Sequence, residues 1–448
     1  MRFENKDASL QKKQQNTKKL DTKRKPEKIK RHEMFNSRNI PKDAKSVLEK
    51  FDDIVAETRG LSAKQRVFLS SSIKKLSHSL TDDRGSRRVG YMNSAENVTA
   101  YIAYFQWWNL VRLTRLFSNM PKNAFPLSEK SVAIDIGSGP LTVVSALWLA
   151  RPELRSKKIT WYCLDLSQNA LAQGEEIYLS VAAKTISMMN EGEGSAVEPW
   201  KIIRVKGELG TSIKEKAELV TCANAFNEMI QMSDMPTDFL AKKYSDEIEK
   251  YMAESASVKS VLLVEPGDPH SARFISLMRS AFIRRDFLPL APCPHADECP
   301  MAGRTGGKTT TKNGKSAKWC NFSFSTEDAP SRLLKLSEKA NLPKERASLS
   351  FVLLQKNAES EKKTENENAV KKDDKLALRI ASNFIKLPDI HKSGYYACSR
   401  LGLVLAVDMA NVQPKNGELL EIPFPEKKLE RDQKSGALQL PLTVAGGR

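Results

Sequence analysis

The sequence predicts an α/β fold in which a mostly parallel sheet is covered by helices on both faces. Three observations support this prediction. Short apolar segments alternate with helical segments between residues 131 and 284, and such alternation is typical of parallel sheets. The first apolar segment runs directly into a glycine turn and a helix, which is the order of a ligand-binding βα unit. The chain has 448 residues, 40% of them hydrophobic, and can therefore fill a large core and two or three domains.

The segment SVAIDIGSGPL, residues 131–141, is the centre of the predicted fold. It combines a buried strand at Val132–Ile136, a Gly-Ser-Gly turn and the start of a helix. Gly137 permits a sharp turn, and Gly139 leaves room for a ligand against bare backbone. Asp135 stands near the carboxyl end of the strand, where a doubly wound sheet binds its ligands.

A second carboxylate indicates which ligand this turn binds. Asp165 lies in WYCLDLS, at the end of the next strand-like segment. One carboxylate before the glycines and another after strand two are typical of S-adenosylmethionine enzymes, since a sulfonium cofactor has no pyrophosphate that acids would repel. A glycine turn without a ligand is the alternative. We predict a Rossmann-like class I methyltransferase sheet whose cofactor-binding residues are Asp135, Gly137, Ser138, Gly139 and Asp165.

The remaining elements follow from the spacing of apolar residues. Further strands are predicted over residues 159–166, 201–206, 219–225 and 260–265, with helices over 168–189, 236–254 and 271–284. A last strand over residues 349–354 is expected at an edge of the sheet. Upstream, an N-terminal helical region is predicted over residues 41–125. Its aromatic helix, residues 97–118, is expected to pack onto the next domain, with a base-stacking surface as the alternative.

Three polar residues follow the fourth strand, at the same edge of the sheet. Asn224, Asn227 and Glu228 lie in ANAFNEM and are candidates for catalytic roles near the cofactor's methyl group; simple turn residues are the alternative. No convincing general base is present. This suits methylation of a ring nitrogen, which needs little proton removal. Cytosine C5 chemistry would need a cysteine nucleophile, and the nearby Cys222 is predicted to lie inside a strand.

The positive charge of the chain is concentrated in two segments. The net charge is +18. Residues 1–31 contain twelve Lys or Arg against four acidic residues, and residues 303–318 contain five Lys or Arg and no acid. Solvated tails are the simplest explanation of one such segment, but two in a cofactor-binding protein favour a polyanionic partner, most simply RNA. Residues 1–40 contain almost nothing to bury and are predicted to be a disordered basic tail.

Three of the six cysteines cluster in a predicted insertion over residues 291–322. Cys293, Cys299 and Cys320 lie in PCPHADECPM and WCNFSFS, where prolines stiffen the backbone. Thiolates on a stiff loop suit a zinc ion or an iron–sulfur cluster, with free loop cysteines as the alternative. Two other cysteines fall in predicted strands, where cysteine is usually a small hydrophobe.

Two segments follow the predicted methyltransferase-like domain of residues 126–356. Residues 357–375 form a charged linker, and residues 376–448 contain short strands broken by turns, which predicts a small β-rich module. This module contains Cys398. A metal bound by Cys398 and the insertion would clamp the module to the main domain and supply folding energy that it lacks.

These motifs together resemble the mitochondrial and bacterial small-ribosomal-subunit-associated methyltransferase-like family, described as ribosome assembly proteins or candidate rRNA methyltransferases. The resemblance covers residues 95–405. It depends on DIGSGPL, the NEM turn, LVEPGDP, the PCPH…CP…WCNFSF block and LPKERASLSFVLL. It implies a four-iron, four-sulfur cluster, with zinc as the alternative, on Cys293, Cys299, Cys320 and Cys398. The aromatic helix and the long 303–318 loop depart from the family pattern.

Two functions remain open at this stage. The first is an S-adenosylmethionine-dependent methyltransferase that acts on the rRNA of the small ribosomal subunit in ribosome assembly and translation. The second is a non-catalytic assembly factor that binds the same rRNA and carries the iron–sulfur cluster. We expect a monomer away from the ribosome and no membrane partner. No apolar stretch approaches the roughly 20 residues of a membrane span, and no signal-peptide segment is present. The bacterial cytoplasm is the expected location, with the mitochondrial matrix as the alternative.

Overall fold

The computed structural model describes residues 29–81, 92, 94–189, 197–303, 318–358, 375–388 and 391–443. Most of the basic segments 1–31 and 303–318, and of the linker 357–375, therefore lie outside the described residues. Within these ranges, no helix has the length and apolar character that a membrane span requires.

The helices are α1 (Lys42–Glu49), α2 (Phe51–Arg59), α3 (Ala63–Thr81), α4 (Ala95–Ala100), a π-helix (Tyr101–Gln106), α5 (Trp107–Ser118), α6 (Thr142–Ala150), α7 (Gln168–Ile186), α8 (Phe226–Gln231), α9 (Thr237–Lys250), α10 (Pro269–Ile283) and α11 (Ser331–Lys339). The strands are β1 (Lys30–His32), β2 (Val132–Ile136), β3 (Thr160–Asp165), β4 (Lys201–Lys206), β5 (Leu219–Ala223), β6 (Val258–Glu265), β7 (Leu288–Ala291), β8 (Phe322–Ser325), β9 (Arg346–Asn357), β10 (Lys375–Ile380), β11 (Ile385–Leu387), β12 (Lys392–Ser399), β13 (Gly402–Asp408), β14 (Leu419–Pro423) and β15 (Leu438–Leu442).

The larger sheet has the predicted doubly wound α/β architecture. Its strand order is β4-β3-β2-β5-β6-β9-β7, with β8 paired to β9. The neighbours from β4 to β6 are parallel, whereas β9 runs antiparallel to β6 and β7 runs antiparallel to β9. Strand β3 pairs with one edge of β2, and β5 pairs with the other edge. The carboxyl ends of β2 and β5 therefore frame the crevice where such sheets bind ligands.

The prediction that the last strand lies at the edge of this sheet is wrong. Strand β9 lies between β6 and β7, and Phe351, Leu353 and Leu354 are buried. The edge strand is β7, a four-residue segment, LPLA, that apolar spacing does not reveal. Its Pro289 lacks a backbone N–H, which is tolerated at an edge and not inside a sheet.

The aromatic helix packs against the sheet domain. Helices α4 and α5 and the π-helix between them form one continuous helical segment. Trp107 and Trp108 are completely buried. Trp107 Nε1 donates to the carbonyl of Leu48 at 2.8 Å, and Trp108 Nε1 donates to Ser337 Oγ at 3.2 Å. These bonds join α5 to α1 and α11, so packing rather than base stacking accounts for both tryptophans.

The C-terminal strands form a second, smaller sheet that curls around its own core. Its order is β1-β14-β10-β12-β13-β15, with β11 paired to β12. All pairs are antiparallel except β13 and β15. We call the part formed by β10 to β15 the barrel. The residues of its core are Leu376, Leu378, Ile380, Tyr395, Ala397, Val404, Ala406, Leu420, Ile422, Leu440 and Leu442.

The predicted disorder of residues 1–40 is wrong for the part that the structure describes. Strand β1 at Lys30–His32 pairs with β14 at the edge of the barrel sheet. Arg31 Nε donates to Glu418 Oε1 at 2.5 Å, and the Glu418 side chain is fully buried. The partner residues are 387 positions apart in the chain. Local composition could not reveal this strand, because a three-residue polar segment becomes a strand only through its distant partner.

Candidate functional site

A cavity of about 1050 Å³ opens at the carboxyl edge of β2, β3 and β5. The predicted cofactor-binding residues all line it: Asp135, Gly137, Ser138, Gly139 and Asp165. Asn224 and Glu228 also line the cavity, whereas Asn227 does not. The backbone N–H of Asn227 donates to Glu265 Oε2 at 3.3 Å. The volume is at the upper end of the range for ligand pockets, which leaves room for a cofactor and an acceptor together.

The glycine turn is held between three strands. Gly137 has φ +63° and Gly139 has φ +50°, both in the left-handed region that favours glycine. A Cβ atom on Gly137 would lie 2.4 Å from Ala225 Cβ, whereas one on Gly139 would meet nothing within 4 Å. The backbone N–H of Ser138 donates to the carbonyl of Leu164 at 3.0 Å. Gly137 is therefore required by the close approach of the β5 turn, and Gly139 leaves open space above the backbone.

Asp135 is a buried carboxylate with one unpartnered oxygen. The residue is 1% exposed. Its Oδ1 accepts a hydrogen bond from Thr221 Oγ1 at 2.6 Å, and its Oδ2 has no partner among the described residues. Burial raises the pKa of Asp135 to about 7. A cationic group of a ligand would satisfy the free oxygen and favour the charged form.

Asp165 connects the end of β3 to the glycine turn. Its Oδ2 accepts from the backbone N–H of Gly139 at 2.9 Å, and its Oδ1 accepts from the N–H of Ser167 at 2.8 Å. Burial raises the pKa of Asp165. Each carboxylate oxygen can accept a further hydrogen bond, so the side chain can bind a pair of ligand hydroxyls at the cavity wall.

Helix α7 meets the glycine turn at a backbone contact. A Cβ atom on Gly174 would lie 2.4 Å from the carbonyl carbon of Pro140. From the other side, Gln106 Nε2 donates to the carbonyl oxygen of Pro140 at 2.6 Å. Pro140 is therefore clamped between the π-helix and α7.

Glu265 holds the turn that follows β5. This fully buried carboxylate ends β6 and accepts the backbone N–H groups of Phe226 at 2.9 Å and Asn227 at 3.3 Å. Burial raises the pKa of Glu265 to about 8. Asn224, at the start of the same turn, has φ +57°, and its N–H donates to the carbonyl of Val264 at 2.8 Å. Strand β6 therefore positions the polar residues beside the cavity.

The raised pKa of Glu265 predicts a specific pH dependence of stability. The unfolded chain releases this proton near pH 4.5 and the folded protein near pH 8, so the contribution of Glu265 to stability falls as the pH rises between these values. Urea unfolding of Glu265→Gln should give a free energy that declines less between about pH 5 and pH 8 than that of the wild type. The exposed Glu208→Gln serves as the control. Equal declines in wild type and Glu265→Gln would contradict the prediction.

Two cavity residues come from the aromatic helix and are not among the sequence candidates. Tyr101 and Asn109 line the cavity. Burial raises the pKa of Tyr101 to about 12, and the carboxylate of Glu228 adds to this effect. Tyr101 begins the π-helix, and π-helical turns are frequent at functional sites. The aromatic density of this helix was the available signal, but most of its rings are packing residues.

The four predicted metal ligands come from three parts of the fold and share one neighbourhood. Cys293 and Cys299 follow β7, Cys320 precedes β8, and Cys398 lies in β12 of the barrel. All four are free thiols. Burial raises the pKa of Cys320, and electrostatic interactions with the other three thiols raise it further. Among the residues that the structure describes, no three Cys, His, Asp or Glu side chains are arranged as ligands of one metal ion.

Two buried arginines and a histidine surround these thiols. Arg279 Nε donates to Cys293 Sγ at 3.2 Å, and His295 Nε2 lies 3.2 Å from Cys398 Sγ. Arg379 Nε donates to the carbonyl of Pro292 at 2.7 Å, and its charge acts on three of the thiols. Both arginines interrupt apolar segments, SLMRSAF and LALRI. A buried arginine in such a segment signals a partner of opposite charge, so these two arginines are a signal for the thiol site that is visible in the sequence.

The family model described as mitochondrial small ribosomal subunit Rsm22 matches residues 95–387. No curated protein sequence matches the chain. Solved structures that are similar to it include the following three. A methyltransferase of Geobacter sulfurreducens with S-adenosyl-L-homocysteine is 11% identical and has a TM-score of 0.26, covering 61% of this chain and 96% of that chain. The rRNA methyltransferase AviRa of Streptomyces viridochromogenes is 10% identical and has a TM-score of 0.25, covering 35% of this chain and 73% of that chain. The ribosomal protein L11 methylase of Lactobacillus delbrueckii subsp. bulgaricus is 12% identical and has a TM-score of 0.25, covering 43% of this chain and 73% of that chain.

Proposed function

Because the chain belongs to the family described as mitochondrial small ribosomal subunit Rsm22, we propose that it is an S-adenosylmethionine-dependent methyltransferase of small-subunit ribosomal RNA. The observation that carries this proposal is the buried Asp135, which lines the cavity at the carboxyl edge of the sheet and whose Oδ2 has no partner among the described residues. A buried acceptor without a partner is costly. The ammonium group of the methionine part of the cofactor would satisfy it.

Different residues of the cavity would bind different parts of the cofactor. Asp135 would hold the ammonium group, and Asp165 would accept the two hydroxyls of the ribose. Gly139 would leave the backbone bare where the cofactor passes. S-adenosylmethionine, when bound, supplies an electrophilic methyl group on a sulfonium. Fixing the acceptor in line with that methyl group is the main task of the protein.

The acceptor would enter beside the β5 turn. Asn224 and Glu228 line the cavity there, as does Tyr101. Asn224 is held in a left-handed conformation, a strain that typically accompanies a functional position. Glu265, behind the turn, is a positioning residue, because it binds the backbone of the turn and not the cavity. Asn227 would contribute through the same turn.

The test of this function is transfer of labelled methyl groups from S-adenosylmethionine to immature small ribosomal subunits. Label in the ribosomal RNA, which nuclease digestion would locate to one nucleotide, is the expected result. A protein that binds the particle and S-adenosylhomocysteine but transfers no label would overturn the enzyme proposal. It would establish the second function, a non-catalytic assembly factor that binds ribosomal RNA.

We further propose that Cys293, Cys299, Cys320 and Cys398 hold a four-iron, four-sulfur cluster. Four thiols are the donor set of such a cluster, and the buried Arg279 and Arg379 would offset its negative charge. Each of the four thiolates would supply one ligand to the cluster. When bound, the cluster would join the barrel to the sheet domain, which also suits the assembly-factor function.

Replacing one of these thiols should remove the iron. Anaerobically purified wild type is expected to be brown, with roughly four iron atoms per chain, and Cys320→Ser to be nearly colourless with most of that iron lost. Iron analysis and the visible absorption spectrum measure this. Cys163→Ala, which removes a thiol from the sheet core, is the matched control and should keep its iron. A colourless wild type with one zinc per chain would overturn the cluster.

The partners and location follow from the family. Its description supports the small ribosomal subunit as the partner and the mitochondrial matrix, the alternative to the bacterial cytoplasm, as the location. We propose that the protein is a monomer when it is not bound to the subunit.

A further inference from the structure

Helix α3 (Ala63–Thr81) packs against the protein through one apolar stripe. Ile73 and Leu76 are buried, and Leu69 and Leu80 pack against the same core. Residues three and four positions apart lie on one face of a helix, so these four side chains form the inner face of α3. The elements that α3 contacts are α4 and the π-helix. The opposite face of α3 is therefore turned to solvent.

The outer face of α3 repeats the same spacing with exposed side chains. It consists of Lys64, Val67, Phe68, Ser71, Lys74 and Lys75, all of them exposed. Val67 is 74% exposed and Phe68 is 57% exposed, so this face is not covered by the rest of the chain. Single apolar residues are common on protein surfaces. The lysines beside them therefore decide what the face can bind.

The charge of this outer face is entirely positive. Helix α3 contains no Asp or Glu, and among the described residues no acidic side chain forms an ion pair with Lys64, Lys74 or Lys75. One carboxylate reaches α3 from a neighbouring element, since Glu96 of α4 accepts from Ser72 Oγ at 2.8 Å. Ser72 is half-buried and does not belong to the outer face. The three lysines therefore have no counter-charge of their own.

The spacing of the lysines indicates an extended polyanion. Lys64 and Lys74 are ten positions apart, which is about 15 Å along the helix axis, so one small anion cannot contact both. A helix that lies in a membrane surface inserts a continuous apolar face, but the apolar face of α3 is packed against the protein. A row of cations on an otherwise polar helix face is typical of contact with the phosphate backbone of a nucleic acid.

Helix α3 also lies close to the candidate functional site. It contacts the π-helix, whose first residue, Tyr101, lines the cavity. Phosphate contacts position a nucleic acid without reading its sequence. A phosphate backbone bound on α3 would therefore hold the RNA beside the part of the protein where the acceptor enters.

We propose that the outer face of α3 binds the phosphate backbone of ribosomal RNA. Lys64, Lys74 and Lys75 pair with phosphates, and Val67 and Phe68 pack against the sugars and bases between them. The contact is independent of sequence, because lysine binds a phosphate as a point charge. The inference rests on the proposed RNA partner but not on methyl transfer, because none of these side chains lines the cofactor cavity.

The test measures binding of the full-length protein to a fluorescein-labelled RNA hairpin of mixed sequence, by fluorescence anisotropy at several salt concentrations. The α3 variant combines Lys64→Gln, Lys74→Gln and Lys75→Gln. It should raise Kd roughly ten-fold or more and reduce the slope of log Kd against log salt by about two to three, because each lost phosphate contact lowers the slope by about one.

A matched control removes the same charge at the other edge of the sheet. It combines Lys130→Gln, Lys158→Gln and Lys201→Gln, three exposed lysines at the amino ends of β2, β3 and β4. Charges farther from the RNA than about 8 Å are largely screened at physiological salt, so the control should bind the hairpin with a Kd within about two-fold of the wild type.

Two results would overturn the inference. One is equal affinity and equal salt dependence of the wild type and the α3 variant for the hairpin. The other is binding of the wild type to phosphatidylserine vesicles that the α3 variant loses while its RNA binding is unchanged, which would assign the face to a membrane. Binding of S-adenosylhomocysteine, measured on the same proteins, should be unaffected. If the wild type fails to bind that compound while the RNA results stand, the methyltransferase proposal fails and the α3 inference survives.

Discussion

Asp135→Asn is expected to weaken the binding of S-adenosylhomocysteine by about 30-fold or more. The substitution keeps the acceptor for Thr221 Oγ1 but removes the charge that would face the ammonium group. Hydrogen bonds to charged groups contribute about 1.5–3 kcal/mol, and about 2 kcal/mol corresponds to roughly 30-fold in Kd. Isothermal titration calorimetry measures the change directly. Glu208→Gln, which alters an exposed carboxylate at the same cavity, should change Kd by less than about two-fold.

The pH dependence of S-adenosylhomocysteine binding distinguishes the loss of a charge at residue 135 from a distortion of the binding site. The pKa of Asp135 is raised to about 7, so the carboxyl is mostly protonated at about pH 6 and cannot attract a cation. The affinity of the wild type should therefore rise between about pH 6 and pH 7.5, and the affinity of Asp135→Asn should stay nearly level. If both proteins follow the same pH curve, Asp135 does not bind the ammonium group.

Gly174→Ala should destabilise the protein although it places a better helix former inside α7. Alanine is favoured over glycine in a helix interior by about 1 kcal/mol. The added Cβ, however, would lie 2.4 Å from the carbonyl carbon of Pro140, a backbone atom that cannot rotate away. Overpacking of this kind costs about 1–3 kcal/mol, and here it displaces the glycine turn. We therefore expect a lower free energy of unfolding in urea and a weaker affinity for S-adenosylhomocysteine.

A change to alanine elsewhere on α7 provides the control for this prediction. Leu179 is 43% exposed, and Leu179→Ala should leave both the unfolding free energy and the affinity close to those of the wild type. If Gly174→Ala is instead more stable than the wild type by about 1 kcal/mol, the helix preference of alanine over glycine, then α7 and the glycine turn can move apart without cost. That result would contradict the close approach of Gly174 and Pro140.

The sheet and its cofactor residues could be predicted because each strand carries its own local signal. Val132–Ile136 is an apolar segment that ends at a glycine turn, and Asp165 ends the next one in the same way. The role of Glu265 as a support for the β5 turn depends on a distance between two loops, which local sequence does not encode. Tyr101 reaches the cavity only through the packing of an upstream helix. The barrel connectivity likewise depends on pairings such as β13 with β15 that span a long loop.

The pairing of β1 with β14 has a consequence for how the protein is made. Arg31 and Glu418 are 387 residues apart, so at about 5–20 residues per second the ribosome needs roughly 20–80 s between them. During that interval the sheet domain can fold, because its strands are complete well before residue 418. The barrel edge, the Arg31–Glu418 ion pair and the seam between the two sheets form last. Only a chain translated through β15 can therefore carry a finished barrel, and a nascent chain that stalls before β14 presents a folded sheet domain without it.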